Sequence, residues 1–378
     1  MVERKRILTM FWYDDASEVH LYKDVGGIPY ALAKYHGWEA TLAYNDLQGI
    51  IHNDDYEQYV KLEPIHYPKI CARLKLRYYK YLKVMYYVWK NAPHYDVINL
   101  FHVHRFIRFL CWLAKQANPS IITYVKCDMG TAGFVKEQKS SGGVQRWADT
   151  DLFTVEANWF ISGLNNLTKY YRRIRYLPNG FYGDILDDNN ILKERILLTV
   201  GRLGTYEKNT ETLINAFERM LLEKELRDWN LCLVGPMDAS FREFLKVKFD
   251  KNIDLRERVL VTGNISDKKI LFDYYKRSSV FVLPSRIEGF PLVVPEAMHF
   301  ACYPIVADCF GAAHEIILPE HGLLLKDNSV ETLSDALLKT CTAYNETLRR
   351  GLRAKAFADK NLSWKHLTGK LIEYFQYK

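Results

Sequence analysis

The chain has 378 residues, 48% of them hydrophobic and 26% charged, with 20 glycines and 12 prolines. These proportions exclude a disordered, collagen-like or low-complexity chain, and the length suggests two domains, each able to bury its own core. Lys and Arg outnumber Asp and Glu by 52 to 45, and the whole excess lies in residues 1–178, with 24 basic and 17 acidic side chains.

No apolar run approaches the ~18 residues of a spanning helix. The basic stretch Met1–Arg6 meets Asp14 and Asp15 too soon for a secretory signal. Seven scattered cysteines, with no CxxC pair, read as reduced, mostly buried thiols of a cytoplasmic protein.

In chain order, Ile7–Phe11 reads as a first strand, followed by a loop holding Gly26 and Gly27 and a helix over Ile28–Tyr35. Glu39–Tyr44, Val97–Phe101, Ile121–Val125, Leu152–Val155 and Arg175–Leu177 are strand-like, and Phe106–Gln116 is helical. A turn at Pro178-Asn179-Gly180 and an acidic linker over Asp184–Asn190 precede a second series. There, Ile196–Val200, Leu231–Val234, Val259–Thr262, Val280–Leu283 and Ile305–Ala307 read as strands. Leu213, Ile214, Phe217, Met220 and Leu221 fall at helical spacing, and Asn328 with Glu331 matches a helix-start pattern. Alternating strands and helices imply two α/β units in tandem, each with a largely parallel sheet.

The densest constellation runs from Pro284 to Met298, where a buried strand opens into a loop punctuated by Gly289, Pro291 and Pro295. Glu288 would lie at the strand's C-terminal mouth and Glu296 on the following helix. Ligands of open α/β sheets bind at that mouth. Free N–H groups around Gly289 and Phe290 would suit a phosphate, and two carboxylates could accept hydrogen bonds from sugar hydroxyls. An exposed loop glutamate and a helix-capping glutamate would show the same spacing.

This segment resembles the E-x7-E signature of retaining GT-B glycosyltransferases, family 4 of the sugar transferases (glycosyl transferases group 1). Other pieces follow in that family's order: Val200-Gly201-Arg202-Leu203 with Lys208, Leu233-Val234-Gly235, Val261-Thr262-Gly263, Gly26-Gly27-Ile28, Pro178-Asn179-Gly180 and Ser363-Trp364. Each is weak alone; their order is specific. The resemblance implies an α/β GT-B fold of two Rossmann-like parallel-sheet domains facing a central cleft. Residues 1–183 would bind the acceptor, 184–360 would bind the nucleotide-sugar, and a helix in 361–378 would cross back onto the first domain.

By the same resemblance, Glu288 would hydrogen-bond the donor sugar and Glu296 the nucleotide ribose. Arg202 and Lys208 would neutralise the diphosphate as charge builds on the leaving group. Gly26, Gly27, Gly201, Gly235, Gly263, Gly289, Phe290 and Pro291 would line the donor site, although a plain tight turn also needs glycines such as Gly26 and Gly27. Relatives carry His-Asp where this chain reads Lys126-Cys127-Asp128. Cys127 replaces the histidine that touches the sugar, so Lys126 and Asp128 take over part of that role or the pocket accepts a different sugar. Two further departures are Asn209 and Ala301, at or near positions where the family has glycine.

No G-x-G-x-x-G, Walker loop or D-x-D motif is present. His102 and His104 lack metal-site partners, and either line the cleft or fill a core. No cofactor is expected, the nucleotide-sugar being a substrate.

Residues 68–90 hold seven basic residues, and no acid stands between Glu63 and Asp96. Tyr78, Tyr79, Tyr81, Tyr86, Tyr87 and Trp89 are interleaved, and Tyr170 to Arg173 could extend the patch. Such a helix suits an anionic bilayer, a solvated face or RNA. The expectation is a cytoplasmic enzyme, peripheral on the inner face of the membrane, that transfers a hexose-type sugar from a UDP-sugar in preference to a GDP-sugar. Its acceptor would be a saccharide or lipid-linked saccharide of bacterial capsule, O-antigen or another surface polysaccharide, and nucleic acid is not an expected partner. An epimerase or phosphorylase of the same fold, or a non-catalytic binding protein, is the alternative that donor-dependent transfer would separate.

Overall fold

Apolar strands build two all-parallel sheets in a computed structural model that describes every residue except 1–3, 13–15, 47–48, 67–76, 102–105, 128–149, 166–173, 183–191 and 377–378. The first sheet contains β1 (Arg6–Phe11), β2 (Glu39–Asn45), β3 (Val60–Ile65), β4 (Val97–Phe101), β5 (Ile122–Lys126), β6 (Leu152–Val155) and β7 (Ile174–Tyr176). Their order is β3-β2-β1-β4-β5-β6-β7. The second contains β8 (Glu194–Val200), β9 (Asn230–Val234), β10 (Val259–Gly263), β11 (Ser278–Leu283), β12 (Tyr303–Ala307) and β13 (Leu323–Leu325), in the order β10-β9-β8-β11-β12-β13. Each sheet belongs to its own compact unit: Met1–Tyr182 with Ser363–Lys378, and Gly183–Leu362. Central strands such as β11 are buried along their whole length, as parallel strands covered on both faces must be.

The first helix corrects the reading of Gly26 and Gly27. It spans Asp24–His36, so both glycines lie in its buried first turns and not in a loop. A Cβ on Gly26 would stand 2.3 Å from the Leu21 carbonyl oxygen, and one on Gly27 would stand 2.5 Å from Nε1 of Trp364. Both glycines serve close packing. Trp364 is fully buried and opens the C-terminal helix Trp364–Gln376, which packs on the first helix. Farther along, the Phe375 ring meets Trp38 at 5.8 Å and Tyr124 at 5.6 Å between centroids. That packing makes the last residues part of the first unit.

The helix-start pattern is displaced by one residue. Ser329 is the cap, accepting from the Thr332 N–H at 3.1 Å, while the Asn328 amide turns to the Ser285 carbonyl at 3.1 Å. Ala301 has a φ of +59°, a left-handed conformation that alanine adopts only at a cost.

Candidate active site

Strand order in the second sheet reverses between β8 and β11, which lie side by side. The loops leaving their C-terminal ends therefore flank the crevice where open α/β sheets take ligands. One loop carries Gly201, Arg202 and Lys208; the other carries Ser285, Glu288 and Gly289.

The two loops meet through charge. Lys208 Nζ donates to Glu288 Oε1 at 2.5 Å, and the Ser285 hydroxyl donates to the same oxygen at 2.6 Å. The side chains of Lys208 and Glu288 are 20% and 11% exposed, shielded enough to strengthen the pair yet open to a ligand. Glu288 N–H donates to the Cys309 carbonyl at 3.1 Å, fixing the backbone behind the carboxylate. Burial first, then the Glu288 charge, push the Cys309 thiol up to about 12, so it stays protonated and is no nucleophile. Arg202 is exposed on its loop.

Neutral polar groups brace this arrangement. Asn209 adopts a left-handed φ of +53° and is fully buried. Its amide donates to the Pro284 carbonyl at 3.0 Å, and its Oδ1 accepts from the Thr212 hydroxyl at 2.8 Å. The Arg286 N–H donates to the Glu207 carbonyl at 2.7 Å, and its guanidinium lies 4.7 Å from the centre of the Tyr206 ring. Sequence reasoning named Asn209 only as a departure from glycine, Asn328 only as a helix-start residue and Ser285 only within the Pro284–Met298 loop, and it missed the bracing role of all three. Their only signal is position beside the charged pair. We expect Asn209→Ala to destabilise the second unit by about 2–3 kcal/mol, because it strands a buried carbonyl and puts alanine in the left-handed region. Asn209→Gly keeps the backbone conformation without alanine's left-handed strain and should be about 1–2 kcal/mol more stable than Asn209→Ala. Denaturant unfolding of the two variants checks the ranking; equal stability of Asn209→Gly and the native chain would show that the bridges contribute nothing.

Gly201, Gly235 and Gly263 close the ends of β8, β9 and β10. The Gly235 N–H donates to the Gly263 carbonyl at 2.9 Å, and a Cβ on Gly235 would fall 1.9 Å from the Gly201 carbonyl oxygen. A Cβ on Gly289 would meet nothing within 4 Å, as on Gly263, but Gly289 lacks the positive φ that calls for glycine at Gly201, Gly235 and Gly263. Phe290 sets its ring 5.9 Å from that of Phe310, and Pro291 is buried just before the helix Val293–His299.

Glu296 lies on that helix with both carboxylate oxygens engaged. Lys268 Nζ donates to Oε1 at 3.3 Å and the Tyr275 hydroxyl to Oε2 at 3.2 Å. Burial, and next the Glu296 charge, hold the Tyr275 phenol well above its ordinary pKa, so it remains a donor.

In the first unit, Lys126 and Cys127 have no exposed surface. Lys126 Nζ lies 3.5 Å from Glu156 Oε1 and 3.8 Å from Asp24 Oδ2, and donates to the Leu177 carbonyl at 3.1 Å. Lys126 therefore binds the fold together. Asp128, His102 and His104 lie outside the described residues, as do the linker at 184–190 and Tyr170 to Arg173.

Residues 184–357 match the family model described as glycosyl transferases group 1. That match spans nearly the whole of the second unit, where Arg202, Lys208, Glu288 and Glu296 lie. An uncharacterized glycosyltransferase of Haemophilus influenzae is 34% identical over 148 residues, 39% of each chain. The Escherichia coli UDP-Gal:alpha-D-GlcNAc-diphosphoundecaprenol alpha-1,3-galactosyltransferase is 27% identical over 180 residues, 44% of this chain and 45% of that one. The chain thus spans about two-fifths of the length of such curated relatives. The GT-B fold of two parallel-sheet domains is shared with sucrose-phosphate synthase from Thermosynechococcus elongatus, at a TM-score of 0.70 and 19% identity over 99% of this chain and 98% of that one.

Proposed function

We propose that the chain is a retaining glycosyltransferase of family 4 that moves a hexose-type sugar from a UDP-sugar to a hydroxyl of a saccharide or lipid-linked saccharide, in surface-polysaccharide assembly. The carrying observation is the Lys208–Glu288–Ser285 cluster at the strand-order reversal of a glycosyltransferase domain. The donor and acceptor classes are supported by the E. coli relative, whose name contains a UDP-sugar and a polyprenol-linked saccharide. The enzyme would work from the cytoplasm, peripherally at an anionic membrane; among the described residues no helix is long and apolar enough to cross one.

In this reading Arg202 and Lys208 hold the donor diphosphate, Glu288 hydrogen-bonds the sugar and Glu296 the ribose. Gly289, which packing does not require, leaves its backbone N–H approachable. The acceptor oxygen bonds to the anomeric carbon on the face from which the diphosphate departs. The C–O bond to phosphate breaks, its electron pair goes to the nucleoside diphosphate, and a leaving phosphate oxygen takes the acceptor's proton. Lys208 gains energy as charge develops on that oxygen, which is transition-state stabilisation.

Two measurements test this. A thermal-shift screen against nucleotide-sugars should show a raised midpoint with a UDP-sugar, by mass action on the native state; no shift with any donor would remove the reading. Transfer should also persist after thorough EDTA treatment, because fixed cationic side chains supply the charge that a metal would. Loss of transfer, restored by Mg²⁺ or Mn²⁺, would show that the diphosphate is held otherwise.

A further inference from the structure

Helices Arg77–Asn91 and Ile107–Ala117 pack side by side on the first unit, joined where the Tyr81 ring meets Phe106 at 4.9 Å. Together they carry six basic residues and no acid. Lys115 lies 2.6 Å from Asp151, and Lys90 faces the charge of Glu63. Apolar side chains stand out into solvent from both: Leu82 is 60% exposed, Tyr86 59%, Trp89 56%, Phe109 36% and Trp112 54%. Leu82, Tyr86 and Trp89 follow one another at helical spacing, so they share a face; so do Phe109 and Trp112.

The composition of this face differs from what residues 68–90 alone suggest. Tyr81 is turned inward against Phe106 and Trp12, and Tyr87 is only partly exposed. Residues 67–76 and the side chains of Arg77 and Tyr78 are outside the described set. The second helix supplies the missing aromatics, Phe109 and Trp112. A solvated face would not expose five large apolar side chains on two neighbouring helices, because such patches mark interaction sites.

We propose that this two-helix face seats on an anionic lipid bilayer, with Trp89 and Trp112 at headgroup level and Leu82 and Phe109 reaching the acyl boundary. Basic residues without an acid among them match the surface potential of anionic lipids, and the exposed aromatic and aliphatic groups match the interface beneath it. RNA fits less well, because a leucine has no stacking face and the exposed surface is more apolar than basic. The proposal rests on the lipid-linked acceptor only for the presence of a membrane near the site.

The test is sedimentation of the full chain with vesicles of phosphatidylcholine alone and of phosphatidylcholine with phosphatidylglycerol at 7:3. Binding should appear with the anionic vesicles and be weak with the neutral ones. Leu82→Ser/Trp89→Ser/Trp112→Ser, all at exposed positions, should lower binding at least ~tenfold and leave the unfolding midpoint unchanged. Lys83→Gln and Lys90→Gln should each lower it about fivefold at low salt, and not at high salt, where charge is screened. Donor binding, read by thermal shift without vesicles, should be unaltered in every variant. Native-like sedimentation of the triple Ser variant overturns the proposal, as does competition by a short RNA that displaces the vesicles. Failure of donor binding with vesicle binding intact would count against the transferase reading alone.

Discussion

Lys208→Ala and Glu288→Gln should move nucleotide binding in opposite directions while both suppress transfer. Lys208 in the structure gives a hydrogen bond to Glu288 at 2.5 Å, and a diphosphate placed there would compete with that carboxylate for the same ammonium. Lys208→Ala removes a charge-assisted contact of about 1.5–3 kcal/mol, roughly tenfold or more in nucleoside diphosphate affinity. It also removes a group whose interaction grows as the leaving oxygen becomes anionic, so kcat/KM should fall by about 10²–10³. Glu288→Gln leaves Lys208 without its counter-charge. Nucleoside diphosphate should then bind several-fold more tightly, by the Coulomb argument for a partly shielded pair. Transfer should still fall by about 10², because the amide replaces a charged acceptor that the sugar hydroxyls would use.

The paired measurement separates chemistry from scaffolding. If the ion pair only tied two loops together, both variants would weaken nucleotide binding alike and lower the unfolding midpoint alike. Isothermal titration with UDP, single-turnover transfer and thermal unfolding decide between these outcomes. Native transfer rates in either well-folded variant would sink the assignment of both residues.

The charged cluster was legible because its residues sit on Gly- and Pro-punctuated loops that follow continuous apolar strands, such as β8 and β11. Central strands of a parallel sheet announce themselves by unbroken hydrophobicity. Two of the four edge strands do not: β3 reads Val-Lys-Leu-Glu-Pro-Ile, with the charges and proline tolerated at an edge, and β13 has three residues. Gly26 and Gly27 misled for a related reason. Glycine costs about 1 kcal/mol within a helix, so propensity ends the helix there, whereas close contact with Leu21 and Trp364 requires it. The Trp364 contact comes from the far end of the chain. No local pattern could announce it. The same holds for the braces around Glu288, since Asn328 reaches Ser285 from a helix start that follows several other elements.

Lys126 is the clearest case, and it carries the second large effect. A lysine at a strand's end reads as a pocket or surface group, yet its side chain is 0% exposed between the carboxylates of Asp24 and Glu156, themselves 2% and 4% exposed. Asp24 opens the first helix, where its charge meets the helix dipole and its Oδ1 accepts from the Val25 N–H at 2.9 Å. Glu156 follows β6 and accepts from the Asn179 amide at 2.7 Å, in the Pro178-Asn179-Gly180 turn. One ammonium thus joins a helix start, two strand ends and the turn by which the chain leaves the first unit. Lys126→Met keeps the volume and deletes the charge that the buried carboxylates of Asp24 and Glu156 face. Breaking a buried pair in this way costs about 3–5 kcal/mol, a large part of the ~5–15 kcal/mol that stabilises a typical protein. The first unit's unfolding midpoint should fall by roughly 6–20 °C, at about 2–4 °C per kcal/mol for a unit of this size. Lys126→Met/Asp24→Asn/Glu156→Gln removes all three charges and should recover most of the loss, because the cost lies in burying carboxylates that have lost this lysine and not in the absent lysine. Hydrogen exchange resolved to the two units shows where the variant opens. A Lys126→Met chain as stable as the native one at neutral pH would mean that this cluster holds nothing together.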